Sequence, residues 1–511
     1  MPARSTRQPA LRGNARNDTP LLRPRRAIAT LATATLLALS AWSTDARAAP
    51  VVVVGAHGAA VRDDPAVGAD TTPPRAAPAL VAVNGGTSAE NRGLPPTVRG
   101  TLGQLHRAGQ IPQTTYRADL GAFNATVAEL KRLPASRGAE LEAVIENLHE
   151  MAVNGTLIAS RLAVLFLTLD RNRQYWASHP VLSYRQRVEF AGSQLVWEYY
   201  PGQGLQLQVL GSFGKADWLC SAGPAYAPRC QAILSELIPL AVRRAGGLVW
   251  EYYFDFDGGT PPWTSAMSQA TALQTLADAF KETGDQTYLT IAHDALPVLT
   301  APPPTGVAVK TNRGLRFVQY SFQAARDDEI INAFLQTLIG LDDYATTSND
   351  PLAERLFAVG TAEAQAELPS FNLGAWSLYQ PGVDDDLSYH ELVTGFLQQL
   401  CTMTKTPIYC ATAAAFQADL KTPPTVSPVT RRLQAHHAAD FHFTVSKPAR
   451  VGITVLHHGM TIFLTSADFS QGEHDFAVPA LKPGGSYEVK LDATDLAGNY
   501  TQDSNPLTVS K

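Results

Sequence analysis

The stretch Thr264-Ser-Ala-Met-Ser-Gln-Ala-Thr-Ala-Leu-Gln-Thr-Leu-Ala-Asp-Ala-Phe280 decides how the rest of the chain is read. Met267, Ala270, Leu273, Leu276, Ala277 and Phe280 recur at steps of three and four and share one helical face, with Thr264 or Ser265 placed to cap the start and Gly284 to stop it. Gln286 to Val298 repeats the design through Leu289, Ala292 and Leu296, so the two segments make a helical hairpin. Asp327 to Tyr344 with Pro351 to Leu368, and Tyr389 to Leu400 with Pro407 to Leu420, give two more. No strict repeat links these hairpins, but their succession predicts a mainly α fold, an α/α toroid (incomplete α/α barrel) whose loops line a cleft.

Working outward, Thr101 to Leu169 is also helical, with Leu120, Phe123, Val127 and Leu130, then Leu141, Val144, Ile145 and Leu148, on one face, a break at Gly155 and a buried helix over Leu157 to Leu169. The period changes between Arg187 and Leu210. Val188 to Phe190, Leu195 to Tyr199 and Leu205 to Val209 read as inserted β-hairpins, with Gly192, Gly202 and Gly204 in turns. Asp217 to Ala245 reads as helix and Leu248 to Phe256 as a second aromatic strand. Asp255 and Asp257 offer too few oxygen ligands in fixed register for a calcium loop and read as a solvated turn.

Beyond Thr422-Pro-Pro424 the pattern switches to short alternating segments, at Phe441 to Val445, Val451 to Val455, Thr461 to Leu464, His474 to Val478 and Tyr487 to Leu491. This predicts an immunoglobulin-like or fibronectin-type β-sandwich without the cysteines of antibody domains, closed by a turn at Asp495 to Asn499. At the other end, Arg23 to Arg26, the apolar run Ile28 to Trp42 and Ala46-Arg-Ala48 read as an export signal. The expected division is a signal at 1–48, a short strand (Val51 to Val54) with an Ala/Pro/Gly-rich linker at 49–98, a toroid at 99–422 and a sandwich at 423–511. A fragment ending near Thr422 is expected to stay soluble and keep any activity.

The chain has 511 residues, 45% of them hydrophobic and 17% charged, with a formal net charge of -5. That balance suits a globular protein with a sizeable core and argues against a general nucleic-acid or acidic-glycan binder, since the whole molecule would repel a polyanion unless a local basic cleft overcame it. Four cysteines form two close pairs, Cys220 with Cys230 and Cys401 with Cys410, and these local pairings need the least long-range closure of the three connectivities. Disulfides in an oxidising compartment fit them better than zinc, since neither pair has a two- to four-residue spacer. The expected location is therefore secreted or extracytoplasmic, with no membrane span after signal cleavage, and a homodimer is compatible with the sequence.

Several separated blocks resemble the C-terminal domain of D-glucuronyl C5-epimerases: Tyr199-Tyr-Pro-Gly-Gln-Gly-Leu-Gln206, Pro261-Pro-Trp-Thr-Ser-Ala-Met-Ser-Gln269, Gln319-Tyr320 ahead of Phe334 to Leu341, and Trp376-Ser-Leu-Tyr379 followed by Tyr389-His390. They occur in the family's order between about Val188 and Thr404. The resemblance implies inversion of C5 in glucuronate units of a heparan sulfate-like polysaccharide, with no cofactor and no metal. It places Tyr320, Tyr379, Tyr389 and His390 at the catalytic centre and Tyr199, Tyr200, Gln206, Trp263, Gln269 and Arg316 around the substrate, with His390 and Arg316 as sources of positive charge. Three positions depart from it: Gln319 stands where a Glu is expected, Asp386 where an Arg is expected and Val393 where a His is expected.

Such a reaction removes a weakly acidic proton beside a carboxylate and returns one to the opposite face, so two proton-transfer groups must flank the ring. A tyrosine, with an ordinary pKa of about 10, serves as base only where positive charge or hydrogen bonds lower that value. A lyase or hydrolase on the same barrel, and a non-catalytic glycan-binding wall protein, are the alternative readings.

Overall fold

The computed structural model describes residues 48–55, 58–68, 97–322 and 328–510. All but the last residue of the export signal read at 1–48, and the part of the linker between 69 and 96, lie outside the described residues. Strands β1 (Ala48–Gly55) and β2 (Gly58–Gly68) pair antiparallel. Helices α1 (Val98–Arg107), α2 (Gln113–Leu130), α3 (Ala135–Val153) and α4 (Leu162–Trp176) follow. Strands β3 (Arg187–Phe190), β4 (Trp197–Tyr200) and β5 (Gly204–Leu207) then complete a five-stranded sheet in the order β2-β1-β3-β4-β5. One strand was expected before α1, but β2 extends the sheet. It is tied in by a buried ion cluster: Lys215 reaches Asp64 (3.0 Å) and Glu189, and Arg62 reaches Glu189 (2.6 Å).

The helical series continues as α5 (Val209–Ser221) and α6 (Ala227–Leu237), the hairpin β6 (Val242–Arg244) and β7 (Gly247–Val249), then α7 (Ala266–Thr283) and α8 (Gln286–Ala295). After the hairpin β8 (Ala308–Lys310) and β9 (Leu315–Phe317) come α9 (Ile331–Ser348) and α10 (Pro351–Glu367). The hairpin β10 (Leu378–Gln380) and β11 (Val383–Asp384) leads into α11 (Leu387–Thr404) and α12 (Pro407–Asp419). α5 packs on α7, α7 on α9 and α9 on α11, while α6, α8, α10 and α12 each pack on the helix before them. The result is an inner row backed by an outer row.

The two rows differ as their positions require. α7 and α9 are buried around most of their circumference, whereas α8 buries only Leu289, Ala292 and Ala295. Where α7 and α9 cross, a Cβ on Gly340 would come within 2.2 Å of the Ala270 carbonyl oxygen, so the approach requires glycine. The helix limits follow local chemistry. Ser265 caps α7 by accepting from the Ser268 N–H, and Gly284 ends it in the left-handed region at φ 72°. Asp350 caps α10 and is followed by Pro351.

Two readings upstream are corrected. The helix expected over Asp217 to Ala245 is α5 and α6, separated by a turn at Gly223 (φ 96°) and Pro224 and joined by the Cys220–Cys230 disulfide. Val209, expected in a strand, starts α5. The aromatic run Leu248 to Phe256 is a strand only to Val249, and beyond it makes the isolated bridges Tyr252 to Trp263 and Phe256 to Gly259. Cys401 and Cys410 form the second disulfide, between α11 and α12.

The C-terminal region contains β12 (Val426–Pro428), β13 (Arg432–Gln434), β14 (Ala439–Val445), β15 (Ala449–His457), β16 (Met460–Phe469), β17 (Gly472–Val478), β18 (Tyr487–Asp495) and β19 (Tyr500–Ser510). They form two sheets, β12-β14-β17 and β13-β19-β18-β15-β16. Phe441, Phe443 and Phe476 from the first meet Val451, Ile453, Val489 and Leu491 from the second in one apolar core. The burial of β18 alternates residue by residue, as a sheet with one solvated face demands.

Candidate active site

The loops that enter the inner helices converge at one end of the row. Tyr200 precedes α5, Trp263 precedes α7, Tyr320 and Phe322 precede α9, and Tyr379 and Tyr389 flank the start of α11. An aromatic wall results. Trp263 stacks on Tyr252 (centroids 4.2 Å apart, 11° between planes) and meets Tyr320 edge-on at 5.6 Å. Tyr320 stacks on Phe322 at 5.1 Å and touches Phe256 at 5.6 Å. Tyr379 and Tyr389 lie 4.9 Å apart. Tyr320, Tyr379 and Tyr389 are each half-buried, so their rings form a surface that is partly open.

These groups share one electrostatic environment. Burial raises the Tyr320 phenol well above its ordinary pKa, and the nearby Tyr379, Tyr389 and Asp257 raise it further. Burial also raises Tyr379, helped by Tyr389, Asp385 and Asp257. Arg185 acts in the opposite sense on both, which places a guanidinium within range of the two rings. Arg185 sits in the left-handed region (φ 59°), with its Nε 3.7 Å from the buried Glu198 carboxylate. Glu198 also receives the Tyr200 hydroxyl (2.9 Å) and Arg187 Nε (3.0 Å). Neutral phenols at neutral pH are proton donors, and the adjacent cation favours a phenolate when one ionises.

Other expected site residues are placed behind this surface. Tyr199 is buried and donates to Glu140 (2.8 Å), which also accepts from the N–H groups of Gly202 and Gly204 and so holds the Tyr200-to-Gly204 turn. A Cβ on Gly204 would meet Asn172 Oδ1 at 2.6 Å, which requires glycine there. Gln206 is buried and donates to the Gln203 carbonyl. Gln269 is buried and donates to the Trp250 carbonyl (2.9 Å) and Thr264 Oγ1 (3.0 Å). Arg316 is buried against Glu367 (3.0 Å). Tyr199, Gln206, Gln269 and Arg316 thus support the loops through these bonds, while Gln269 Oε1 and Arg316 Nη2 are buried without a hydrogen-bond partner among the described residues. Trp263 presents its ring to the aromatic wall while Nε1 donates to the Phe254 carbonyl (2.8 Å).

His390 is likewise corrected. It is fully buried, stacks on Trp376 at 3.9 Å, and has Nδ1 2.7 Å from Ser377 Oγ and Nε2 3.0 Å from the Phe416 carbonyl. Burial pulls its pKa down to about 4, so it does not supply positive charge near neutrality. A carbonyl only accepts, so Nε2 carries a proton. Ser377 Oγ donates to Asp385 Oδ2, whose carboxyl is raised to about 7 mainly by burial, and lies against His390 Nδ1. This chain of contacts fixes the turn under Tyr379.

The family departures acquire structural reasons. Asp386 is the N-cap of α11: its Oδ1 accepts from the Tyr389 N–H at 3.0 Å and from Ser388 Oγ at 2.9 Å. Val393 is fully buried between helices. Gln319 Oε1 is buried without a hydrogen-bond partner among the described residues. Arg185, Asp257 and Phe256 were missed in the sequence. None sits in a periodic element, and only the aromatic density of Leu248 to Phe256 hinted at the wall.

Residues 246–418 match the family described as D-glucuronyl C5-epimerase C-terminus. The match includes Trp263, Tyr320, Tyr379 and Tyr389 and stops short of Arg185 and Tyr200. An uncharacterised protein of Methanocaldococcus jannaschii is 27% identical over 137 residues, which are 26% of this chain and 44% of that protein. The chain thus matches less than half of the length of this relative. Among solved structures, cellobiose 2-epimerase from Bacillus thermoamylovorans aligns with TM-score 0.32 and 12% identity over 43% of this chain and 62% of its own. A family 76 glycoside hydrolase (mannosidase) from Bacteroides thetaiotaomicron aligns with TM-score 0.31 and 12% identity, over 47% and 68%.

Proposed function

We propose, from a chain whose residues 246–418 match the D-glucuronyl C5-epimerase C-terminus family, that this protein is an extracytoplasmic uronate C5-epimerase acting on a polysaccharide. The reading is supported by the 4.9 Å approach of Tyr379 to Tyr389 and the packing of Tyr320 on Trp263 and Phe322 where the loops enter the inner helices, with Arg185 acting electrostatically on Tyr320 and Tyr379. The sugar ring packs on the aromatic wall, Trp263 and Phe256 included. One tyrosine, ionised with the help of Arg185, removes the C5 proton, and a neutral tyrosine across the ring returns one. Arg185 also faces the substrate carboxylate, where charge builds up as the C5 bond breaks. Asp257 opposes an anionic substrate and is balanced by Arg185.

The rows of helices support the α/α-toroid reading, with α5, α7, α9 and α11 inside and their partners outside. The strand order of the two C-terminal sheets, with β13 parallel to β19, supports the immunoglobulin-like reading. Two disulfides support an oxidising location, and among the described residues no helix is long and apolar enough to cross a membrane.

The test is incubation with a panel of uronate polymers in deuterated water. Deuterium at C5 with the inverted uronate is the expected product. An unsaturated uronate instead makes the protein a lyase, and binding without exchange or cleavage makes it a glycan-binding protein.

A further inference from the structure

The C-terminal sheets grip the helical part at the turn that carries Tyr379. Lys447, in the loop between β14 and β15, is buried and directs its ammonium to the carbonyls of Asp419 and Thr422 (2.6 Å each) and to Asp495 Oδ2 (2.9 Å). All three ammonium protons are thereby used, and two go to the end of α12 and the segment after it. There, unsatisfied carbonyls favour a cation. The same ammonium lies 5.4 Å from the Trp376 ring centre. Trp376 stacks on His390 and donates to the Asp385 carbonyl, so Lys447 backs the floor of the turn.

A second grip acts on the turn itself. Gln471, ahead of β17, donates its side-chain amide to the Leu373 carbonyl at 3.1 Å, and its backbone opposes the rise that burial gives the Asp384 carboxyl. Leu373 and Asp384 lie on the two sides of the hairpin that presents Tyr379. Asn499 adds a bond to the Leu420 carbonyl at 3.0 Å.

We infer that the C-terminal β-region is a brace for the Tyr379–Tyr389 turn, with Lys447 and Gln471 as positioning residues for proton transfer. The catalytic half of this inference rests on the reading of the site as an epimerase centre. The brace half does not. Two tyrosines that must flank a sugar ring tolerate little displacement, and an error of about 1 Å can cost up to a hundredfold in rate. The β-region therefore does more than tether the enzyme or bind glycan, and a chain ending near Thr422 is expected to lose activity rather than keep it.

The experiment uses the full chain with Gln471→Ala and Lys447→Met, and two readouts. Amide hydrogen exchange across residues 373–390 needs no substrate; faster exchange there, with α7 and α9 unchanged, is expected in both variants. On a polymer that the parent epimerises, Gln471→Ala is expected to lower kcat by about tenfold with little change in KM, because the ring still binds the aromatic wall. If Lys447→Met does not fold, Gln471→Ala alone decides. Unchanged protection of 373–390, or unchanged kcat in a variant whose turn is loosened, overturns the brace. A parent that exchanges no C5 proton on any uronate polymer overturns the epimerase reading, while the hydrogen-exchange result still decides the brace.

Discussion

Asp386 caps the first turn of α11 through the backbone N–H of Tyr389, at 3.0 Å, so the residue that starts the helix also fixes where a site tyrosine leaves it. Tyr379, on the hairpin just before, is then brought to 4.9 Å from Tyr389. A carboxylate at this position suits a helix N-terminus, where an arginine would be repelled by the macrodipole.

Asp386→Ala removes that cap. Thermal unfolding should show a loss of about 1 kcal/mol, and Asp386→Ser should recover most of it. Equal stability of the alanine and serine variants would remove the cap from the account.

Burial holds Tyr320 and Tyr379 protonated at neutral pH, so the base form is scarce and grows as pH rises. The C5 exchange rate should climb with pH over about pH 6 to 9. Arg185→Gln removes the cation that favours phenolate and should move this limb to higher pH. A flat profile, or a limb unmoved by the substitution, would assign the base to another group.

Folding raises Asp385 from its ordinary 3.8 to about 7. Between these values the native state binds more protons than the unfolded chain, so this group's contribution to stability falls as pH rises through that window. Asp385→Asn removes the effect, and its amide oxygen can still accept from Ser377. Its melting temperature, taken relative to the parent, should be higher at about pH 8 than at about pH 5. His390 titrates in both proteins and largely cancels in the comparison.

Gly340→Ala tests the spacing of the inner row. Its added methyl meets the Ala270 carbonyl oxygen, a backbone atom that moves only if α7 and α9 separate. A loss of about 1–3 kcal/mol is expected in denaturant unfolding. A neutral result would show that the helices part easily.

The helices were legible where periodicity and capping agreed. Ser265 and Gly284 bound α7 as their residue types predict, and Asp350-Pro351 opens α10. The irregular segments were not, since their form depends on distant partners. Strand β2 is fixed by Lys215 and Glu189, which lie far along the chain, and β19 has a polar, proline-containing sequence that only its pairing with β18 makes a strand. At the site, Tyr320, Tyr379 and Tyr389 were named by resemblance, and the structure sets the Tyr379 and Tyr389 rings 4.9 Å apart. His390 and Arg316 could not be told from cleft residues, because burial and pairing are three-dimensional facts. Arg185 lies in a stretch with no periodic signal, so only the folded chain relates it to the tyrosines.

The central claim is that the tyrosine pair transfers the C5 proton, and the most direct measurement is the rate of solvent deuterium entry at C5 by Tyr320→Phe and Tyr389→Phe on a polymer the parent turns over. Phe keeps each ring in the aromatic wall and removes only the hydroxyl, so a structural tyrosine would lose about 1 kcal/mol of hydrogen bonding. The account predicts that both variants fold as the parent does and lose on the order of 10²–10⁴ in exchange rate. Exchange by both variants at the parent's rate would contradict it.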